Sequence, residues 1–417
     1  MTTTTDAGAR IVIVGAGQAG GECAAQLRAG GHRGPVTLIG DEGLPPYHRP
    51  LVSKAYCAGT VDAAGVLLRP AGFYEANAID LRTGSRATAI ARDTRHVELA
   101  DGTEIPYDRL VLATGGRPRR LSVPELDAAP NALYVRTIDD VDALKTHLRP
   151  GARLAVVGGG YLGLEIAASA REFGADVVLV EAGVRLLGRV TSPVVSGFYL
   201  ALHRAHGVRV HVGTQVDRFV LGAGDLITAI TLGGRDIPVD AVVVATGMRV
   251  NDELAVAAGL AVEDGIIVDE SCRTVDSRIL AIGDCTRHPD LVYGGSRRLE
   301  SAPNAAEQAR IAAKTLLGQP ESYRSVPWFW SDQYGVKLQM VGLGEGHDDL
   351  AVRGEAVVGG SFAVFYLRAG RVQAAEVIGS ARDFAMARKL VTARAAVPPQ
   401  ELADAGRPLK DIARDAA

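Results

Sequence analysis

Apolar positions along the chain fall into an order that occurs twice. "RIVIVGAGQAGGECAAQLRAGG" opens on the run Ile11 to Val14, breaks at Gly15, Gly17 and Gly20, and continues with helical spacing to Gly30. A second apolar run, "VTLIGDE", follows at once, so the pattern predicts strand, glycine turn, helix and strand. The order returns in "LAVVGGGYLGLEIAASAREFGADVVLVE", with breaks at Gly158, Gly160 and Gly163, a helix closing at Phe173-Gly174 and a strand ending on Glu181. "YDRLVLATG" and "VDAVVVATG" are matching strand ends, each roughly 90 to 100 residues after its glycine turn, the interval of one module. "ILAIGD" ends a further strand on Asp284. Near Pro327 the composition changes: "PWFWSDQYGVKLQMVG" carries both tryptophans, "SFAVFYLRAGRVQAAEVIG" reads as strand, turn and strand, and a helix is expected from about Ala381.

The glycine spacing carries chemistry. Gly15 lets the chain turn, Gly17 lets backbone amides approach a pyrophosphate, and Gly20 lets the helix pack on its sheet, while the helix N-terminus supplies partial positive charge. Gly158, Gly160 and Gly163 repeat this, and each copy ends its second strand on an acid suited to ribose hydroxyls, Asp41 or Glu181. Asp284, at the carboxyl edge of a sheet, suits a polyol such as ribityl. The order along the chain predicts an α/β protein with two Rossmann-like domains, the second (119–247) inserted in the first (1–118 and 248–326), followed by a C-terminal α+β domain (327–417).

Composition narrows the function. With 417 residues, 47% hydrophobic and 22% charged, the chain is globular material for two or three domains. A formal net charge of -3 excludes the dense cationic surface of a nucleic-acid binder. The start "MTTTTDAGAR" has no signal-peptide core and no apolar run is long enough for a bilayer span, so a cytoplasmic location and no membrane partner are expected. Cys23, Cys57, Cys272 and Cys285 lie apart, with neither dithiol nor zinc spacing, and read as buried small hydrophobes. His203 and His206 in "HRAH" share a helical face but have no third ligand, and His206 reads as a complement to a helix end at Gly207, so no metal is expected.

With "VIVGAGQAG", "VSKAY", "YDRLVLATGGRPR", "GGGYLGLE", "AIGDC", "ESAPNA" and "PWFWSDQY" on the page, the chain resembles, nearly end to end, the FAD-dependent NADH:ferredoxin reductases of glutathione reductase-like fold. The resemblance implies FAD on the first module, with Gly15, Gly17, Ala19 and Gly20 at the pyrophosphate, Asp41 at the adenosine ribose, Ala87 at the adenine and Asp284 at ribityl, completed by Lys54, Arg136 and Ala302. It implies NADH on the second, through Gly158, Gly160, Tyr161, Leu162, Gly163 and Glu181. "HRPLVSK" and "ATGMRVN" depart from the pattern, which expects a second proline and leucine in the first and a proline before Asn251 in the second.

The implied reaction passes electrons from NADH through FAD to a [2Fe-2S] ferredoxin serving a haem monooxygenase or ring-hydroxylating dioxygenase. The missing dithiol points to the same outside carrier. Lys54 and Glu165 are the candidate catalytic pair beside the rings; Glu22, equally placed after Gly20, makes a dipole-favoured acid in the first helical turn the competing reading for Glu165. Glu181 repels the extra phosphate of NADPH, and Arg185 is a cation that would soften this. Trp328 is a candidate edge at the carrier site, and Arg69, Arg297, Arg298 and Arg310 are candidate steering cations. The alternatives are a rubredoxin reductase, an NADH oxidase or peroxidase, which would need a reactive cysteine such as Cys57, and a redox-controlled flavoprotein switch.

Overall fold

The computed structural model describes residues 8–416, and the chain divides into two compact units. The first comprises residues up to Pro50, Val61–Arg117 and Met248–Pro327; the second comprises Leu51–Thr60, Pro118–Gly247 and Trp328 onward.

In the first unit, five parallel strands run in the order Ile279–Ala281, Arg109–Leu112, Ile11–Val14, Val36–Ile39, Ile79–Arg82. Ile11–Val14 and Leu110 to Leu112 are buried throughout, which is why "IVIV" and "LVL" read as continuous apolar runs and not as alternation. The strand of "ILAIGD" is one of the five, so the chain returns to this sheet after the long insertion. One face is covered by helices Gln18–Ala29 and Ala302–Leu316, whose Ala24, Ala309 and Ala312 let the two axes approach closely. Over the other face lies a core of Val12, Val14, Tyr107, Leu110 and Leu112, shared with the antiparallel strands Ala87–Ala91, His96–Leu99 and Glu104–Pro106.

The second unit holds a parallel sheet of the same kind, ordered Arg209–Val212, Asp176–Glu181, Arg153–Val157, Ala241–Val244, Ala132–Leu133. It too has an antiparallel trio, Arg218–Leu221, Ile227–Leu232 and Arg235–Pro238. The C-terminal residues of this unit form five antiparallel strands, ordered Trp328–Gln333, Val336–Gly342, Arg371–Ile378, Phe362–Arg368, Asp349–Gly354. The predicted strand, turn and strand are Phe362–Arg368 and Arg371–Ile378, joined at Ala369 and Gly370 with φ of 50° and 70°, the backbone a tight hairpin turn requires. Helix Ala381–Thr392 starts at Ser380, whose Oγ accepts from Asp383 N, and packs on this sheet.

Leu51–Thr60 is fastened within the second unit. Tyr56 Oη donates to Asp142 at 2.8 Å, and Lys145 Nζ lies 3.5 Å from the Tyr56 ring centroid. No helix among the described residues is long and apolar enough to cross a membrane.

Candidate functional site

The two glycine turns are built alike. Gly15 and Gly158 have φ of 111° and 115°, and a Cβ on either would lie 2.1 Å from Ala113 O or 2.3 Å from Ala245 O. Those alanines begin the "ATG" of the two matching strand ends, so each "ATG" is the floor on which its glycine turn rests. A Cβ on Gly20 or Gly163 would come within 1.9 Å of Gly15 O or 2.0 Å of Gly158 O. These positions exclude any side chain because helix and turn touch there.

Gly17 and Gly160 serve differently. Each is an N-cap with extended backbone and no side-chain cap, and a Cβ on Gly160 would meet nothing within 4 Å. The helices begun by Thr137, Ser192, Ser301 and Ser380 all have a hydroxyl accepting a first-turn amide. The helices Gln18–Ala29 and Tyr161–Glu172 have neither that hydroxyl nor an acid in the first turn. Their leading N–H groups are left for an anion outside the chain, and the helix dipole favours one there.

Around the first cradle stand Ala19, buried on the helix, and Asp284, in the turn Gly283–Cys285. Gly283, at φ 81°, brings that turn to Ala19: a Cβ there would be 3.0 Å from Ala19 Cβ. Gln308 fixes the turn by accepting from Gly283 N at 2.6 Å. Ala302 opens the helix that packs on Gln18–Ala29, Ala87 opens its antiparallel strand, and Asp41 is exposed past Val36–Ile39. Arg49 was not singled out from sequence, yet its Nη2 is 3.9 Å from a Cβ built on Gly17 and it feels the charge of Asp284. Glu42 accepts from Arg49 Nη2 at 2.6 Å and from the Tyr47 hydroxyl. A cation amid the apolar and proline residues of "HRPLVSK" was the signal available for Arg49.

In the second unit, Glu181 accepts from Gly159 N and Gly183 N, both at 2.6 Å, which places its carboxylate beside the second turn. Tyr161 packs against Phe329 with ring centroids 4.5 Å apart and planes tilted by 39°, its hydroxyl 2.8 Å from Met340 Sδ; Leu162 is half-buried beside it. Arg136 and Lys54 also belong to this unit, and Arg136 N donates to Asp140 at 2.9 Å.

Lys54 and Glu165 meet: Nζ lies 2.8 Å from Oε2, with side chains 13% and 5% exposed. Ser53 Oγ donates to the same oxygen at 2.7 Å, and Ser331 Oγ donates to Oε1 at 2.6 Å. A buried carboxylate that meets three donors is fixed in direction. Neither serine was singled out, since they reach Glu165 across 112 and 166 positions of sequence. Glu165 is the fifth residue of its helix, and the first turn holds no acid, so it is not a first-turn dipole acid. Glu22 is likewise the fifth residue of its helix and pairs with Arg69 at 2.7 Å.

The remaining candidates are otherwise engaged. Arg297 pairs with Asp290, Arg298 with Asp264 and Glu300, and Arg310 with Glu307 and Glu321. Arg185 donates to Thr191 O, Ser196 Oγ and Gly188 O at 2.7, 2.6 and 2.6 Å. Trp328 is half-buried and stacks on Trp330 at 5.3 Å. His203 faces Gln333 Oε1 at 2.8 Å and burial lowers it to about 4, while His206 Nδ1 approaches Leu202 O at 2.9 Å at the helix end. No group of three or more potential metal ligands is gathered among the described residues. All four cysteines are free and buried, and burial pushes the Cys57 thiol up to about 11 and Cys23 to about 12, leaving no thiolate at neutral pH.

Two dinucleotide cradles on duplicated parallel sheets, with a buried ion pair and no reactive thiol, define a two-nucleotide oxidoreductase. The chain belongs to the pyridine nucleotide-disulphide oxidoreductases, whose family model matches residues 9–309, and residues 328–413 match the reductase C-terminal family. It is 44% identical to putidaredoxin reductase of Pseudomonas putida, over 96% of each chain. To the ferredoxin–NAD(+) reductase component of the anthranilate 1,2-dioxygenase system of Burkholderia cepacia it is 42% identical, over 94% of this chain and 96% of that one. Among solved structures, the covalent putidaredoxin reductase–putidaredoxin complex matches with a TM-score of 0.95 and 44% identity, over 98% of this chain and 99% of that chain. The chain is an FAD- and NAD(H)-dependent oxidoreductase of the ferredoxin reductase group.

Proposed function

We propose that this enzyme is an NADH:ferredoxin reductase whose first module (1–118 and 248–326) holds FAD and whose second (119–247) holds NADH, with 327–417 completing the reductase. When bound, the two nucleotides would supply the redox chemistry, hydride donation by NADH and one-electron donation by FAD toward a [2Fe-2S] ferredoxin. That carrier serves a haem monooxygenase or a ring-hydroxylating dioxygenase; the Burkholderia cepacia relative is a component of a dioxygenase system. The observation that carries the reading is the pair of uncapped glycine helices in a chain with no accessible thiol.

The residues fit both groups. Gly15, Gly17, Ala19 and Gly20 would hold the FAD pyrophosphate, aided by Arg49, with Asp41 at the adenosine ribose, Ala87 at the adenine, Asp284 at ribityl, and Lys54, Arg136 and Ala302 completing the site. Gly158, Gly160, Tyr161, Leu162 and Gly163 would hold NADH, with Glu181 turning from its backbone amides to the ribose hydroxyls. Glu181 would repel a 2′-phosphate, while Arg185 is engaged by Thr191 O, Ser196 Oγ and Gly188 O. Lys54 and Glu165 would orient the nicotinamide ring and stabilise charge developing beside it.

Stopped-flow absorbance at the flavin band tests this: purified enzyme is mixed with NADH or NADPH, then with a [2Fe-2S] ferredoxin or a rubredoxin. Fast bleaching by NADH, slow bleaching by NADPH and rapid recovery only with the ferredoxin are expected. Rapid peroxide formation without any carrier, or bleaching that persists with every carrier, would overturn the reading.

A further inference from the structure

The loop after Glu181 is knitted to itself and to the second glycine turn. Leu187 N donates to Gly159 O at 2.9 Å, Ser196 Oγ donates to Leu186 O at 2.6 Å, and Arg185 reaches Gly188, Thr191 and Ser196. Leu187 holds a φ of 53°, a backbone region that leucine rarely adopts, so the loop's shape is imposed by its contacts. It ends at Ser192, N-cap of helix Pro193–Ala205, whose Oγ accepts from Val195 N at 3.2 Å. The next contact comes from the C-terminal sheet. Glu376 in Arg371–Ile378, 2% exposed, accepts from Ser192 N at 3.2 Å and from Ser192 Oγ at 2.8 Å. Nothing in the proposed reaction uses this buried carboxylate.

We propose that Glu376 is a positioning residue for the pyridine-nucleotide site: by gripping Ser192 it holds the Glu181 loop against Gly159, so the C-terminal sheet sets the affinity for NADH. This rests on the reading that the second module takes NADH. Both Ser192 groups donate, so an ionised carboxylate accepts them together. A protonated carboxyl must turn one oxygen into a donor, while Ser192 Oγ already accepts from Val195 N. Protonation therefore slackens the grip.

The charged and titratable groups facing Glu376 are Tyr366 on the neighbouring strand, Tyr161 and Tyr199 on the two covering helices, and Arg185 in the loop. Its register partners Met340 and Val364 carry no charge. Burial raises all three tyrosines, which stay neutral, and raises Glu376 to about 7, against the opposing pull of Ser192, Tyr366 and Arg185. Glu376 is thus the group among them that titrates near neutrality. If NADH needs the gripped loop, its binding favours the ionised form and expels a proton, by reciprocity.

The test uses the holoenzyme, with E376Q and S192A beside wild type. NAD+ is titrated by calorimetry at pH 7 in two buffers of different ionisation enthalpy, and the KM for NADH is followed from pH 6 to 8. Wild type is expected to release part of a proton on binding, with KM falling as pH rises. E376Q abolishes the release, flattens the profile and raises KM roughly five-fold, the worth of about one hydrogen bond; the KM for ferredoxin does not move. S192A, which keeps the carboxylate and its backbone donor, raises KM likewise and carries the test if E376Q does not fold. Variants that match wild type in proton release and pH profile overturn the proposal and leave the module's assignment standing. A wild type that binds neither NAD+ nor NADH overturns the assignment, and the proposal with it.

Discussion

Lys54 and Glu165 offset each other's charge where both are buried, and two serine hydroxyls also donate to Glu165. Removing one partner leaves a charge in a poorly solvated site, at a cost of about 3–5 kcal/mol. Lys54→Met and Glu165→Leu are each expected to lower the melting temperature and slow flavin bleaching by NADH, while the double variant regains much of the stability but not the rate. A double-mutant cycle on both readouts checks this. Glu376 makes a separate, pH-linked prediction. Its folded-state value, near 7, lies above the usual 4.5, so the fold binds the proton more tightly than the unfolded chain. The stability this adds is fully present below about 4.5 and is lost as pH rises through about 7, by on the order of 3 kcal/mol. Denaturation at pH 5 and pH 8 should therefore show E376Q gaining on wild type as pH rises. A difference between the two that does not change with pH would contradict it.

Among the elements, the glycine helices were the most legible, because a steric prohibition leaves a mark that sequence preserves: where a Cβ would sit about 2 Å from a carbonyl, only glycine stands. That gives a paired test. Gly20→Ala is expected to release FAD, read as lost flavin absorbance after gel filtration, whereas Gly163→Ala keeps the flavin but is bleached poorly by NADH. Glu181→Ala removes the acceptor of two backbone amides and the charge that opposes a 2′-phosphate. The ratio of NADH to NADPH efficiency should fall about ten-fold, the worth of one discriminating charge contact. What escaped notice was held by distance. Ser53, Ser331 and Ser192 are ordinary hydroxyls until the fold carries an acid to them, and Glu376 sits in "QAAEVIG", where one acid inside a buried strand was the visible sign.

For the molecule as a whole, the buried cysteines forecast indifference to thiol chemistry. A variant with Cys57 and Cys285 changed to serine should pass electrons to ferredoxin at wild-type rates if it folds, and alkylating reagents should not inhibit the native enzyme. Arg69, Arg297, Arg298 and Arg310 each face an acid within their own unit, so they add little net field for steering an acidic carrier. Substituting any of them with glutamine should change the ferredoxin association rate less than two-fold at physiological ionic strength.

Order along the chain implied one module nested in the other, and the strand of "ILAIGD" lies in the first sheet. That order carries no sign that Leu51–Thr60, continuous with the first module, is tied by Tyr56 and Ser53 to partners in the second unit. That attachment has a consequence for anyone recombining these reductases. An exchange of coenzyme preference by grafting 119–247 alone would cut Glu165 from Ser53, Lys54 and Ser331, and Ser192 from Glu376. The transplantable piece is discontinuous: 51–60, 118–247 and 328–417 must travel together, and chimaeras with joints near 50, 60, 117, 247 and 327 are the ones that should fold.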